Sequence, residues 1–263
     1  MLNTFNSPSK RSGAAIVPLF AVCAVMIVTG ACNKSGAGIG PGSSTSSGNF
    51  EGTISMNMTG PTSQSMSVLY YIKGQRVRME TTISGHATPD SVTLWDSAAG
   101  KFTSLMPSEK EYMTSDFAAM RERAKNLPPE ARQTPKLTDT GKQETIAGYP
   151  CHDWLIEDRQ QTEVCLAKGL GDLSTAGNGG PAGFLGRMFK GGADHPTDPN
   201  WAKMIEGGAF PLKTTATRDG QTSFSLEATS IDRKKVDDSL FTVPSDYKEV
   251  KAPSIPGAGN PSN

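Results

Sequence analysis

Apolar and polar residues alternate along short stretches of this chain, and a period of two restricts such stretches to β-strands that bury one face. Ile54, Met56 and Met58 alternate with Thr53, Ser55 and Asn57, and Met66, Val68, Tyr70 and Ile72 repeat the pattern up to a Lys73-Gly74 turn. Beyond that turn Val77 and Met79 alternate with Arg76 and Arg78. Further strands are predicted at Val92 to Trp95, Lys101 to Met106 and Glu111 to Thr114, joined by turns at 96–100 and 107–110. The spacing suits an antiparallel meander. One helix interrupts it: Ser115 or Asp116 is the N-cap, Phe117, Met120, Ala124 and Leu127 recur at helical spacing, and Pro128-Pro129 ends the run. Strands resume at Lys142 to Tyr149, in a hairpin carrying Cys151 and Cys165, at Phe210 to Arg218, at Thr222 to Ile231 and around Leu240 to Tyr247. The expected class is mainly β with helices (α+β), a strongly curved antiparallel sheet with helices on one face.

The N-terminal segment reads differently. Lys10 and Arg11 precede an apolar run from Ala14 to Val28, and Thr29-Gly30-Ala31 leads to Cys32. Basic residues, an apolar run and small residues before a cut are the parts of an export signal, and a cysteine at the first mature position supplies the thiol for lipidation. Residues 1–31 are therefore read as a lipoprotein signal peptide, with Cys32 as the lipidation site. Two other readings of the segment stand beside it: ordinary signal cleavage nearby, or an uncleaved anchor. Residues 32–49 are Gly/Ser-rich and form the lipid anchor and a flexible linker. Asn33 rather than Asp after the cysteine favours the periplasmic face of the outer membrane. The domain proper spans 50–250, about 200 residues, the size of one ordinary domain. A Pro/Gly-rich tail, 251–263, follows and is expected to be disordered.

With 26 basic and 26 acidic residues the formal charge is zero, which gives no electrostatic footprint for nucleic acid. Once Cys23 leaves with the signal and Cys32 is lipidated, Cys151 and Cys165 remain, an even pair in an oxidising compartment. With Glu157-Asp158-Arg159 as the hairpin turn, the two fall opposite each other at a spacing that suits a disulfide. A redox or metal pair is the alternative, but the chain has no Cys-x-x-Cys and only three histidines, His86, His152 and His195.

Several stretches together resemble a known family. Phe50-Glu51-Gly52-Thr53-Ile54, the hairpin from Tyr71 to Glu80, Lys110-Glu111-Tyr112-Met113, Thr145 to Cys151, and Asp238-Ser239-Leu240-Phe241 through Lys248 are similar to uncharacterised secreted bacterial proteins that look related to the lipoprotein carriers of the LolA/LolB type. The resemblance implies an incomplete β-barrel wrapped round one or more helices, with an apolar concavity that holds lipid chains in the carriers. No carrier-specific residue matches one by one, so none is carried over.

On that expectation Met56, Met58, Val68, Tyr70, Met79, Phe117 and Met120 line an apolar-ligand site, methionine being suited to irregular acyl chains and equally to filling awkward cores. A Gly-rich insertion, 174–209, carries Phe184 and Phe189 in one apolar stripe and Trp201 with Met204 in another; these are read either as a lid or as an insertion packed outside the sheet. Hydrolase, zincin and phosphate-loop signatures are missing, so no enzyme activity, cofactor or metal is expected. His152 beside Asp153 reads as a surface histidine, since neighbours on a strand point to opposite faces. Three functions follow in order: a membrane-tethered module binding a lipid or other apolar ligand, an envelope interaction module with a filled core, and an envelope hydrolase. Replacing the thiol, Cys32→Ala, should release the protein from membranes and abolish metabolic labelling by a clickable fatty acid. Labelling that persists in the variant would refute the assignment.

Overall fold

The computed structural model describes residues 50–60, 64–119, 135–157, 160–171, 203–204 and 208–251. Six strands follow one another without interruption: β1 (Glu51–Thr59), β2 (Ser65–Lys73), β3 (Arg76–Ile83), β4 (Ser91–Asp96), β5 (Lys101–Met106) and β6 (Glu111–Asp116). Five more form a second meander: β7 (Lys136–Ile146), β8 (Tyr149–Glu157), β9 (Gln161–Lys168), β10 (Ala209–Arg218) and β11 (Gln221–Arg233), before a short 3-10 turn at Asp238–Phe241 and a two-residue β12 (Lys248–Glu249). All twelve join in one sheet, ordered β12-β6-β5-β4-β3-β2-β1-β11-β10-β9-β8-β7. Only β12 on β6 is parallel. The two meanders are welded where β1 pairs with β11.

This corrects the expected α+β class. The described residues form a single open sheet, and their helical conformation is confined to residues 117–119, 203–204 and the 3-10 turn. No helix there fills a barrel. The core is instead built from the sheet's own side chains: Tyr70 on β2 and Phe210 on β10 meet edge to face with ring centroids 5.3 Å apart. Three strand steps separate β2 from β10, roughly 14 Å in a flat sheet, so the sheet must bend for those rings to touch. One apolar cluster accordingly joins Trp95 on β4 to Ile146 on β7, with Phe117 beside them.

Other local expectations are refined. A turn at Ala147 and Gly148, both at positive φ (49° and 82°), splits the strand expected over Lys142 to Tyr149 into β7 and β8. Such mirror-image two-residue turns match the twist of the strands they join. The piece around Leu240 to Tyr247 is not a strand: it crosses the sheet, and Val243 and Tyr247 cover Val92, Leu94 and Leu105. Cys151 and Cys165 are bonded, with Cα atoms 5.3 Å apart. They are diagonal rather than opposed, because the register sets Asp153 against Cys165 and His152 against Leu166. On a chain-entropy account a bridge closing so short a loop stabilises the fold by about 3 kcal/mol.

The weld between β1 and β11 needs a glycine. A Cβ added at Gly52 would lie 2.2 Å from the main-chain oxygen of Asp232. Gly52→Ala should therefore push the strands apart and cost about 1–3 kcal/mol or more, lowering the melting temperature by several degrees in a domain this size. An unchanged thermal unfolding curve would contradict this.

Candidate functional site

The apolar face is assembled by cross-strand pairs. Met56 stands opposite Val68 on one side and Ala228 on the other, Tyr70 opposite Ile54 and Met79, and Met58 opposite Met66 and Leu226. Directly opposed residues project to the same side of a sheet, so these residues share a face. Met56, Val68, Tyr70 and Phe117 are buried in one cluster, and Met58 and Met79 pack against it half-buried. Burial pushes the Tyr70 phenol well above its ordinary pKa. The centre is closely filled: Ile54, Ile72, Leu170, Phe210 and Leu212 each have 0 % exposure. Of the residues expected at this site, Met120 lies outside the described residues, as do Phe184, Phe189 and Trp201 of the expected lid and Cys32, the expected lipidation site.

The described end of the insertion belongs elsewhere. Met204 joins a second cluster with Leu137, Trp154, Ile156, Val164 and Leu166. Beside it, Lys203 Nζ is 2.5 Å from Asp139 Oδ2 and 5.7 Å from the centre of the Trp154 ring. Asp139 also holds His152, Oδ1 to Nε2, at 2.5 Å, and accepts from the Gly141 N–H at 3.0 Å. Lys203 first, then His152 and the Gly141 amide, hold the Asp139 carboxyl far below the usual carboxylate range. His152 thus pairs across the hairpin with Asp139 and not with its neighbour Asp153. Sequence spacing offers no sign of this, because an irregularity between Asp139 and Gln143 breaks the β7 register. Among the described residues no three His, Cys, Asp or Glu side chains gather as a metal site, and no helix is long and apolar enough to cross a membrane.

A third constellation clasps the β2–β3 hairpin and the start of β1 to the segment after β11. Lys73 Nζ donates to the Val236 carbonyl at 3.0 Å and lies 3.1 Å from Asp238 Oδ2. Arg76 pairs with Asp238 and stacks over Phe241 at 4.9 Å, and Arg78 donates to the Leu240 carbonyl at 3.0 Å. Glu51 Oε1 accepts from the Val236 N–H at 2.9 Å. The hairpin stretch Tyr71 to Glu80 and the closing Asp238-Ser239-Leu240-Phe241 are therefore partners across the fold.

Residues 50–247 match DUF4412, a domain of unknown function. The chain belongs to that family. The DUF4412 match begins at Phe50, buried in the main cluster, and ends at Tyr247, which covers Val92 and Leu105, so it takes in both sides of the clasp. No curated protein matches the chain in sequence. Among solved structures, similarity is found to an uncharacterized conserved protein from Thermus thermophilus (10 % identity, TM-score 0.45, covering 77 % of this chain and 91 % of that one). It is found also to PNGF-II (13 % identity, TM-score 0.41, 77 % of this chain and 31 % of that one). A third is MucB in complex with MucA(peri) (12 % identity, TM-score 0.27, 77 % of this chain and 56 % of that one).

The clasp of this DUF4412 domain carries a pH dependence. Arg76 first, then Lys73, lower the Asp238 carboxyl below its ordinary value of 3.8. A carboxyl whose folded pKa is depressed stabilises the fold above its unfolded value and loses that contribution as pH falls through the folded one. Asp238→Asn should therefore reduce stability to denaturant near pH 7, and the difference from wild type should shrink steadily below about pH 4. An equal difference at both ends of that range would show that the ion pairs contribute nothing.

Proposed function

We propose that the protein is a non-enzymatic lipoprotein of the bacterial envelope, held through Cys32 on the periplasmic face of the outer membrane, which takes a lipid or another apolar molecule against the apolar face of its bent sheet. The observation carrying this reading is the margin of the main cluster. There Met58, Met79, Phe102 and Phe224 are only partly buried and continue the packed interior outward. Flexible thioether side chains at such a margin accommodate chains of irregular shape. The anchor and linker read from 32–49, together with the motif resemblance to LolA/LolB-type carriers, support the same reading. The absence of catalytic motifs from the sequence supports a binding role over the hydrolase.

The second reading, an envelope interaction module without ligand, is favoured by one feature: the five central side chains of the cluster leave no exposed surface. The two readings part on one measurement. Diphenylhexatriene, which fluoresces in apolar surroundings, should bind the purified protein saturably, and Met58→Lys and Met79→Lys should weaken that binding while the variants still melt cooperatively. A buried charge also destabilises, so the melting curve is part of the measurement. No saturable binding to the wild-type protein would leave the interaction module in front.

A further inference from the structure

Two hydroxyls are out of place in this sheet. Thr162 on β9 and Thr214 on β10 are each 1 % exposed, and among the described residues neither side-chain oxygen has a hydrogen-bond partner. A buried hydroxyl without a partner destabilises a fold that valine would serve with the same shape. Unpaired polar atoms inside a native protein therefore call for an explanation. Here they come as neighbours. Thr214 stands opposite Val164, and Thr162 opposite Ala216, so the two threonines are diagonal across β9 and β10 on one face. Ile156 and Val164, from the second cluster, lie on one side of them. Leu226, from the main cluster, lies opposite Thr214 on the other. The pair marks the seam between the two apolar clusters.

From that seam a row of opposed residues leads outward. Thr214 faces Leu226, Leu226 faces Met58, Met58 faces Met66 and Met66 faces Ile83. Burial decreases along it: Thr214 and Leu226 are buried, whereas Met58, Met66 and Ile83 are half-buried. The row crosses four strand spacings, roughly 19 Å along a flat sheet, the scale of a long acyl chain. We propose that Thr162 and Thr214 are the polar anchor of an acyl-ester site, donating their two hydroxyl protons to one carbonyl oxygen while the acyl chain lies over Leu226, Met58 and Met66. A carbonyl oxygen has two lone pairs and so accepts from both. The side chains directly opposite the pair, Ile156, Val164, Ala216 and Leu226, are all apolar, which favours a neutral ester over an ionised carboxylate, whose charge would be buried without compensation.

This site rests on the lipid-binding reading, and the experiment separates the two. The purified full-length protein is titrated with parinaric acid methyl ester, parinaric acid and diphenylhexatriene. The wild type should bind the ester more tightly than the free acid at neutral pH. Thr162→Val/Thr214→Val should weaken ester binding about tenfold or more, the scale of losing two hydrogen bonds. The same variant should leave diphenylhexatriene binding unchanged and melt no lower than wild type, while Thr162→Ser should retain the ester. Displacement of the bound ester by phospholipid vesicles or by a triglyceride emulsion distinguishes the source of the acyl group, and displacement by neither overturns the proposal. A double valine variant that binds the ester as tightly as wild type overturns the anchor alone. A lower melting temperature with unaltered ester binding also overturns it, in favour of a buried water between the hydroxyls. A wild-type protein that binds none of the three probes removes the lipid reading and the anchor with it.

Discussion

The pairing of the first strand with the last long one is the contact on which the rest depends. Each meander folds from neighbours in sequence, but β1 and β11 are separated by most of the chain, and such distant pairings are slow to form because loop closure comes before any reward. Gly52 lets the two backbones approach where any Cβ would strike the Asp232 carbonyl. Around it, Lys234 N–H donates to the Glu51 carbonyl at 3.3 Å, Arg233 lies 5.0 Å over the Phe50 ring, and Arg233 also reaches the Gly169 carbonyl at 3.2 Å. The clasp of Lys73, Arg76 and Arg78 on the segment after β11 extends the same junction. Its exposed ion pairs are worth little singly; what they add is direction, steering the chain across the sheet to cover Val92, Leu94 and Leu105.

Welding the meanders gives the bend its purpose. An open sheet with one apolar face must bury that face against something, and here β2 meets β10 across the concavity, as the Tyr70 and Phe210 rings show. The edge strand β7 carries Lys136, Lys142 and Glu144 and an irregularity at 139–143, features that discourage pairing with a second sheet. Among the described residues the buried polar side chains are Thr53, Thr93, Thr162 and Thr214, and the two that are unpaired fall together at the seam of the two clusters. That coincidence, rather than the amount of apolar surface, is what the proposed acyl-ester anchor rests on.

Local pattern carried much of the strand content. Met56, Val68 and Tyr70 were legible as one buried set because alternation states which side chains share a face, and the Cys151 hairpin because a bridge needs only two short opposed strands. The exact register was not legible: a turn one residue away from Glu157-Asp158-Arg159 changes opposed cysteines into diagonal ones. Of the run with helical spacing, Phe117 opens a helical stretch at 117–119 and is buried in the main cluster, while Met120, Ala124 and Leu127 lie outside the described residues. The expected class failed because strands supply the rest of that cluster, and spacing alone does not say which elements a buried side chain packs against. The pairing of Asp139 with His152 depends on a break in the β7 register that no periodicity announces.

The sequence by itself determined most of the strands, the Lys73-Gly74 turn, the cysteine pair and the sets of residues that share a face, because each is fixed by interactions among near neighbours or by a period of two. Tertiary structure alone decided that β1 joins β11, that the sheet bends until Tyr70 touches Phe210, that the Lys73-Gly74 hairpin meets Asp238, and that the Thr162 and Thr214 hydroxyls have no hydrogen-bond partner among the described residues. These depend on which distant strands lie side by side and how far the face between them curves. A repeating pattern of two says nothing about either, because it is unchanged by strand order and by curvature.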